Sequence, residues 1–173
     1  MQKLCEISLD AYLAAGNPFD VVERPHECAR CGQQGCFHRH CTYERYVQDR
    51  QVKVARFICR LCRLTVSVLP YFVLPYRSQL VAKVDAYFMA SADQRLEMAD
   101  QDVLRRYWQE WSVHVEALRR DTGWPPIRAL ARKPRAYWRQ MRQAAGSMMA
   151  AQKQLIHEYG ISLLRRYACH GCG

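Results

Sequence analysis

The sequence contains no run of about 18 apolar residues, the length a helix needs to cross a bilayer, so no membrane-spanning segment is expected. Its first stretch, "MQKLCEISLDAYLAAGNPFD", lacks the basic region that opens a signal peptide and carries a Glu and two Asp instead. A cytoplasmic, reducing compartment is the expectation. The phosphate-cradling Walker A loop, the nucleophile elbow and the HExxH zinc-hydrolase signature are all missing. So is the density of strands that a DDE-type nuclease core needs to hold two Mg²⁺ ions with three carboxylates. The acidic residues gather instead at surface-like spacing within 93–121. The tyrosines have no recognisable Arg/His frame for recombinase chemistry. The chain is therefore not expected to be an enzyme. It also lacks internal repeats and low-complexity tracts.

Against these absences stand nine cysteines and a formal net charge of +10. In a reducing compartment, cysteines in pairs are metal ligands before they are disulfides. Cys28-x2-Cys31 and Cys59-x2-Cys62 form two such pairs, the first followed by Gly32 where a tight turn needs a permissive backbone. A two-residue spacer lets both sulfurs of a knuckle reach one ion, so the four thiolates are expected to close a single structural Zn²⁺ site with no open coordination position.

A second Zn²⁺ has candidate ligands as well: Cys169 and Cys172 of the "CHGCG" tail with two of Cys36, His38, His40 and Cys41. The bland alternatives are ordinary packing or phosphate contact for the histidines, and free thiols for the tail. A redox role for the tail motif is disfavoured because no helix follows it to lower a thiol pKa.

Charge is uneven along the chain. Residues 28–63 hold eight basic and two acidic side chains, and residues 127–173 hold nine and one. Residues 1–27 and 91–126 are net acidic. Two basic blocks around a near-neutral middle suggest a polyanionic partner, with a merely solvated basic surface as the alternative. The candidate contacts in the first block are Arg39, Arg45, Lys53, Arg56, Arg60 and Arg63. In the second they are Arg128, Arg132, Lys133, Arg135, Arg139 and Arg142, with Tyr137 and Trp138 interleaved. The tryptophans are read as core.

Periodicity predicts an α+β fold: a small three-stranded zinc ribbon near the N-terminus, followed by a mostly α-helical C-terminal region. A helix is expected over 4–14, ended by Gly16-Asn17-Pro18. Strands are expected at "CTYERYVQ", "QVKVARFI" and "LTVSVL", then a linker at "PYFVLPYR". Ser78 is a plausible cap for the next helix, and Ser91 or Asp93 for another. A long helix should then run to Thr122-Gly123-Trp124, with two or three more beyond the double proline. The expected organisation is a first helix plus four-cysteine ribbon over 1–76, a helical region over 77–124, and a basic helical tail over 125–173.

The segment from Cys28 to Leu80 resembles the uncharacterised zinc-ribbon proteins associated with bacterial insertion-sequence transposases. The matching positions are Cys28, Cys31, Gly32, His38, Arg39, His40, Tyr43, Arg45, Arg56, Cys59, Cys62, Thr65, Ser67, Leu69, Pro70, Phe72, Pro75 and Tyr76. The likeness covers roughly residues 7–90. Ala29 stands where proline is usual and Cys41 where glycine is usual. In that family a helix-turn-helix usually follows the ribbon, and the helical segment carrying Arg105 and Arg106 is similar in outline. The resemblance implies a zinc-stabilised DNA-binding accessory protein of a bacterial mobile element, nucleoid-associated, with another subunit catalysing strand transfer. The alternative is a protein–protein adapter that docks a transposase, recombinase, nuclease or polymerase through its ribbon and helical tail. Duplex DNA and RNA are not distinguished by a basic ribbon alone.

Overall fold

The computed structural model describes residues 2–47, 50–75, 77–164 and 169–171. The chain divides into two compact units: Met1–Gln79 with Ala168–Gly173, and Leu80–Tyr167.

The first unit is built on a mixed five-stranded sheet in the order β2-β3-β4-β1-β5. Strands β2 (Phe37–Val47), β3 (Arg50–Cys59) and β4 (Thr65–Pro70) form an antiparallel meander. Their β-branched and aromatic residues alternate between the two faces, which fixes register, because a one-residue slip would turn the buried set outward. Phe37 lies opposite Cys59, and Phe57 opposite Val66. The ladder between β2 and β3 shifts register between Arg39 and Cys41, so the extra residue there is His40.

The rest of the sheet corrects the expected fold class. The free-standing three-stranded ribbon followed by helices does not occur. Strand β1 (Gln2–Cys5) pairs in parallel with β4, and β5 (Cys169–Gly171) pairs in parallel with β1. The sheet thus stands between a short leading helix and the later helical unit in the chain, and recruits strands from both flanks. Leu4, expected to start a helix, is a strand residue and buried. The helix is confined to α1 (Leu9–Ala14), N-capped by Ser8, and a 3-10 turn follows at Pro18–Asp20. Tyr12 on α1 donates its hydroxyl to the Lys53 carbonyl at 2.7 Å, and Phe19 meets Phe57 edge to face at 5.3 Å.

The expected linker is also corrected. Tyr71, Phe72, Val73 and Leu74 are all buried, so the apolar residues between the two prolines serve the core. Arg45 donates to the carbonyls of Leu74 (2.8 Å) and Arg77, fastening this segment to β2.

The second unit is helical: α2 (Val81–Met89), α3 (Ala92–Leu96), α4 (Gln101–Thr122), α5 (Pro134–Ala145) and α6 (Met148–Tyr159). Helix α2 starts after Leu80 with no side-chain cap, so Ser78 does not cap it. Ser91 does cap α3, in a reciprocal box with Gln94. Helix α4 buries Leu104, Tyr107, Trp111, Val115 and Leu118 at three- and four-residue spacing, the stripe of an amphipathic helix. It stops at Gly123, whose φ of 60° suits a residue without a Cβ. Pro134 opens α5, where its missing N–H costs nothing.

Two arginines close the C-terminal end of α2. Arg95 donates to the carbonyls of Tyr87 (2.8 Å) and Phe88 (3.0 Å), and Arg135 to those of Phe88 (3.1 Å) and Ala90 (2.6 Å). They satisfy carbonyls left over at a helix end and complement its partial negative charge. No described helix is long and apolar enough to cross a membrane.

Candidate metal centre

The two cysteine pairs converge. The Sγ atoms of Cys28, Cys31, Cys59 and Cys62 all lie within 4.8 Å of one another, with Cys28 to Cys62 at 3.4 Å and Cys31 to Cys59 at 3.8 Å. A tetrahedral ion with metal–sulfur bonds of about 2.3 Å has sulfur–sulfur edges of about 3.8 Å, so the cluster has the right size for one metal ion. All four cysteines are free thiols rather than disulfides.

The site is made by two backbone motifs of one design. In the first, the Cys28 N–H donates to the Gln33 carbonyl (3.0 Å) and the Gly32 N–H to the Cys28 carbonyl (2.7 Å). In the second, the Cys59 N–H donates to the Leu64 carbonyl (2.9 Å) and the Arg63 N–H to the Cys59 carbonyl (3.0 Å). Each motif turns on a residue with positive φ: Gly32 at 67° and Arg63 at 61°. The knuckles are tied together by the Arg60 N–H, which donates to the Cys36 carbonyl at 3.0 Å. An isolated bridge between Glu27 and Gln34 closes the base of the first knuckle.

Backbone donors aimed at the sulfurs favour thiolates. The Cys62 N–H, against the opposing effect of burial, and then the Cys36 thiol and the Leu61 N–H hold the Cys59 thiol down to about 6. For Cys62 the Leu64 N–H acts in the same direction, but burial and the neighbouring thiols reverse it and push the group up to about 11. Metal binding therefore displaces protons, and its affinity falls as pH falls and protons compete for the sulfurs.

Sequence reasoning assigned Cys36 only to the second site; it packs against the first. Its Sγ lies 3.4 Å from Cys59 Sγ and 3.1 Å from the Gln33 carbonyl, in a buried position. The signal was hairpin register: pairing Phe37 with Cys59 sets Cys36 beside the knuckle. Cys36 has a single S–H, directed at the Gln33 carbonyl; once Cys59 is a thiolate, that proton turns to donate to its sulfur. A thiol donating to a ligand sulfur is an outer partner of the kind whose loss costs metal sites about 10–100-fold in affinity. Cys36→Ala should keep one metal per chain yet give it up to a competing chelator at least about tenfold more readily. Wild-type affinity in that competition would remove the role.

Among the described residues, His38, His40 and Cys41 form no metal-binding group of three or more with Cys36. His38 is half-buried and His40 exposed, on either side of Arg39, and Cys41 is half-buried on β2. Burial, then the positive charges of Arg60 and Arg24, lower the His38 pKa. The backbone of Cys169 belongs to β5, while Cys172 lies outside the described residues. Among the described residues, the four knuckle cysteines are the only convergent group of three or more metal-binding side chains.

The candidate nucleic-acid contacts separate into two sets. Arg45 and Arg135 spend their guanidinium groups on backbone carbonyls. Arg39 binds the Phe19 carbonyl at 3.1 Å and faces Asp20 at 3.5 Å, Arg56 stacks on Tyr43 at 4.6 Å, and Arg142 pairs with Asp85 at 3.4 Å. Arg105 reaches Asp102 at 3.7 Å. Lys53, Arg60, Arg63, Arg106, Arg128, Arg132, Lys133 and Arg139 are exposed, and no anionic partner holds their side chains among the described residues. Arg95, which was not singled out from the sequence, lies over both Tyr87 (4.8 Å) and Trp108 (4.9 Å). No family model, curated protein or solved structure matches this chain.

Proposed function

We propose that the chain is a zinc-stabilised DNA-binding accessory protein of a bacterial mobile element, gripping duplex DNA while another subunit performs the chemistry. The observation that supports this most is the division among the basic residues. Arginines that hold the fold are spent on carbonyls, rings and carboxylates. Those left over concentrate at the knuckles and in the irregular segment before and into α5, where Arg128, Arg132, Lys133 and Arg139 are exposed. Exposed cations without anionic partners are free to neutralise phosphates and release their counterions.

Zn²⁺ is the metal that best suits four thiolates in a closed tetrahedron, and such a site has a structural rather than catalytic role. A second reading, docking of a recombinase or similar protein, draws on one feature. Val113, in the middle of α4, is 83% exposed.

Salt separates the two readings. Duplex affinity should fall linearly with salt on logarithmic axes, and changing Arg128, Arg132, Lys133 and Arg139 to Gln should flatten that slope by as much as about four units. Arg135→Gln should instead lower thermal stability, because it unpairs helix-end carbonyls. Tight binding to a protein partner that ignores salt, with no duplex binding, would favour the adapter.

A further inference from the structure

The knuckles share one hydrogen-bonding scheme and differ at the residue that needs positive φ. The first knuckle puts Gly32 there, the residue without a Cβ that occupies this conformation freely. The second puts Arg63 there, although the left-handed region is disfavoured for a side chain of this kind. Packing does not explain the choice. Arg63 is exposed and no carboxylate holds it among the described residues. Strain of this sort persists only where the surrounding structure fixes it, and it clusters at functional sites.

Its surroundings have one character. Arg60 and Leu61 precede it on the same turn, and Leu61 is 66% exposed. Arg30 of the facing knuckle reaches across to the Cys62 carbonyl at 3.5 Å, bringing a third guanidinium to this end of the sheet unit. No acidic residue lies between Arg50 and Asp85 in the sequence.

We infer that the tip of the second knuckle, Arg60 to Arg63, is a specific gripping element for duplex DNA in the sheet unit, with Arg63 kept at a glycine position for a phosphate contact. This rests on the DNA-binding reading above and narrows it. Arg60 and Arg63 take phosphates through charge-assisted hydrogen bonds, and Leu61 between them covers sugar edges. The metal's part is to hold this turn rigid, so that the guanidinium groups meet the backbone already in position.

The test is Arg63→Gly, which gives the second knuckle the residue found in the first. The zinc-loaded full-length chain is titrated with a short random-sequence DNA duplex at several salt concentrations, and metal loss to a chelator is followed in parallel. The variant is expected to keep its metal at least as long as the wild type and to bind DNA about tenfold more weakly, with the salt slope lower by about one. Leu61→Ser is expected to weaken binding while leaving the slope unchanged. Arg63→Gly binding as tightly as wild type would overturn the inference and leave the wider DNA-binding reading intact. Faster metal loss in Arg63→Gly would overturn it too, by assigning Arg63 to the fold. A wild-type chain that ignores the duplex at low salt, or prefers single-stranded RNA, would overturn both.

Discussion

Cys28→Ser is expected to reduce bound metal from one equivalent per chain to none and to unfold the sheet unit. Structural zinc in finger-type sites contributes about 10–16 kcal/mol of apparent binding free energy. A whole domain has a net stability of only about 5–15 kcal/mol. A loss of the first size equals or exceeds most reserves of the second. The knuckles also supply the turn between β3 and β4 and the base of β2, and Cys28 and Cys59 are fully buried where these meet. Cys28 is the informative position, because Cys36 stands close enough to Cys59 to replace its thiolate. Metal analysis beside limited proteolysis of residues 1–79 would check the result. A Cys28→Ser chain that keeps one tightly bound metal and resists protease like the wild type would refute the closed four-cysteine site.

The helical unit has its own critical residue. Trp138→Ala should destabilise that unit by about 3–5 kcal/mol, the usual cost of emptying a large aromatic site. Trp138 is fully buried, packs 4.5 Å from Phe88 and meets Trp111 edge to face at 4.9 Å. Its indole N–H donates to Asp85 at 2.8 Å, and Asp85 also pairs with Arg142. Trp138→Phe separates the contributions, since it keeps a ring but removes the donor to a carboxylate, at about 1–3 kcal/mol. Urea unfolding of both variants measures the two losses. Trp138→Phe losing as much as Trp138→Ala would show that the hydrogen bond, rather than the packing, anchors α5.

How much of this was legible depends on whether the cause was local. The meander of β2 to β4 follows from alternation within each segment, and the metal centre from two C-x2-C pairs. Helix α4 ends where Gly123 permits, and Ser91, one of the two caps expected there, caps α3, whereas Gln94's return bond was not foreseen. Strand β1 was hidden because four residues can serve a strand or a helix, and a parallel partner over sixty residues away decides. The run from Tyr71 to Leu74 read as linker because prolines flank it, yet its apolar side chains are buried. Arginine roles were illegible for a different reason. Nothing in the sequence distinguishes Arg135, which closes a helix end, from Arg132, which faces solvent. That distinction arises only once distant carbonyls are brought within reach.

The place of β1 between β4 and β5 has a consequence for the chain as it leaves the ribosome. One edge of β1 is covered as soon as β4 has been made. The other must wait until the entire helical unit has been translated and β5 arrives. At about 5–20 residues per second, the nascent sheet spends several seconds with an open edge. Throughout that interval it can pair with the same edge on a neighbouring chain of the same polysome. The strand that finally covers β1 is three residues long, and protection during synthesis rests on how quickly the intervening residues are translated.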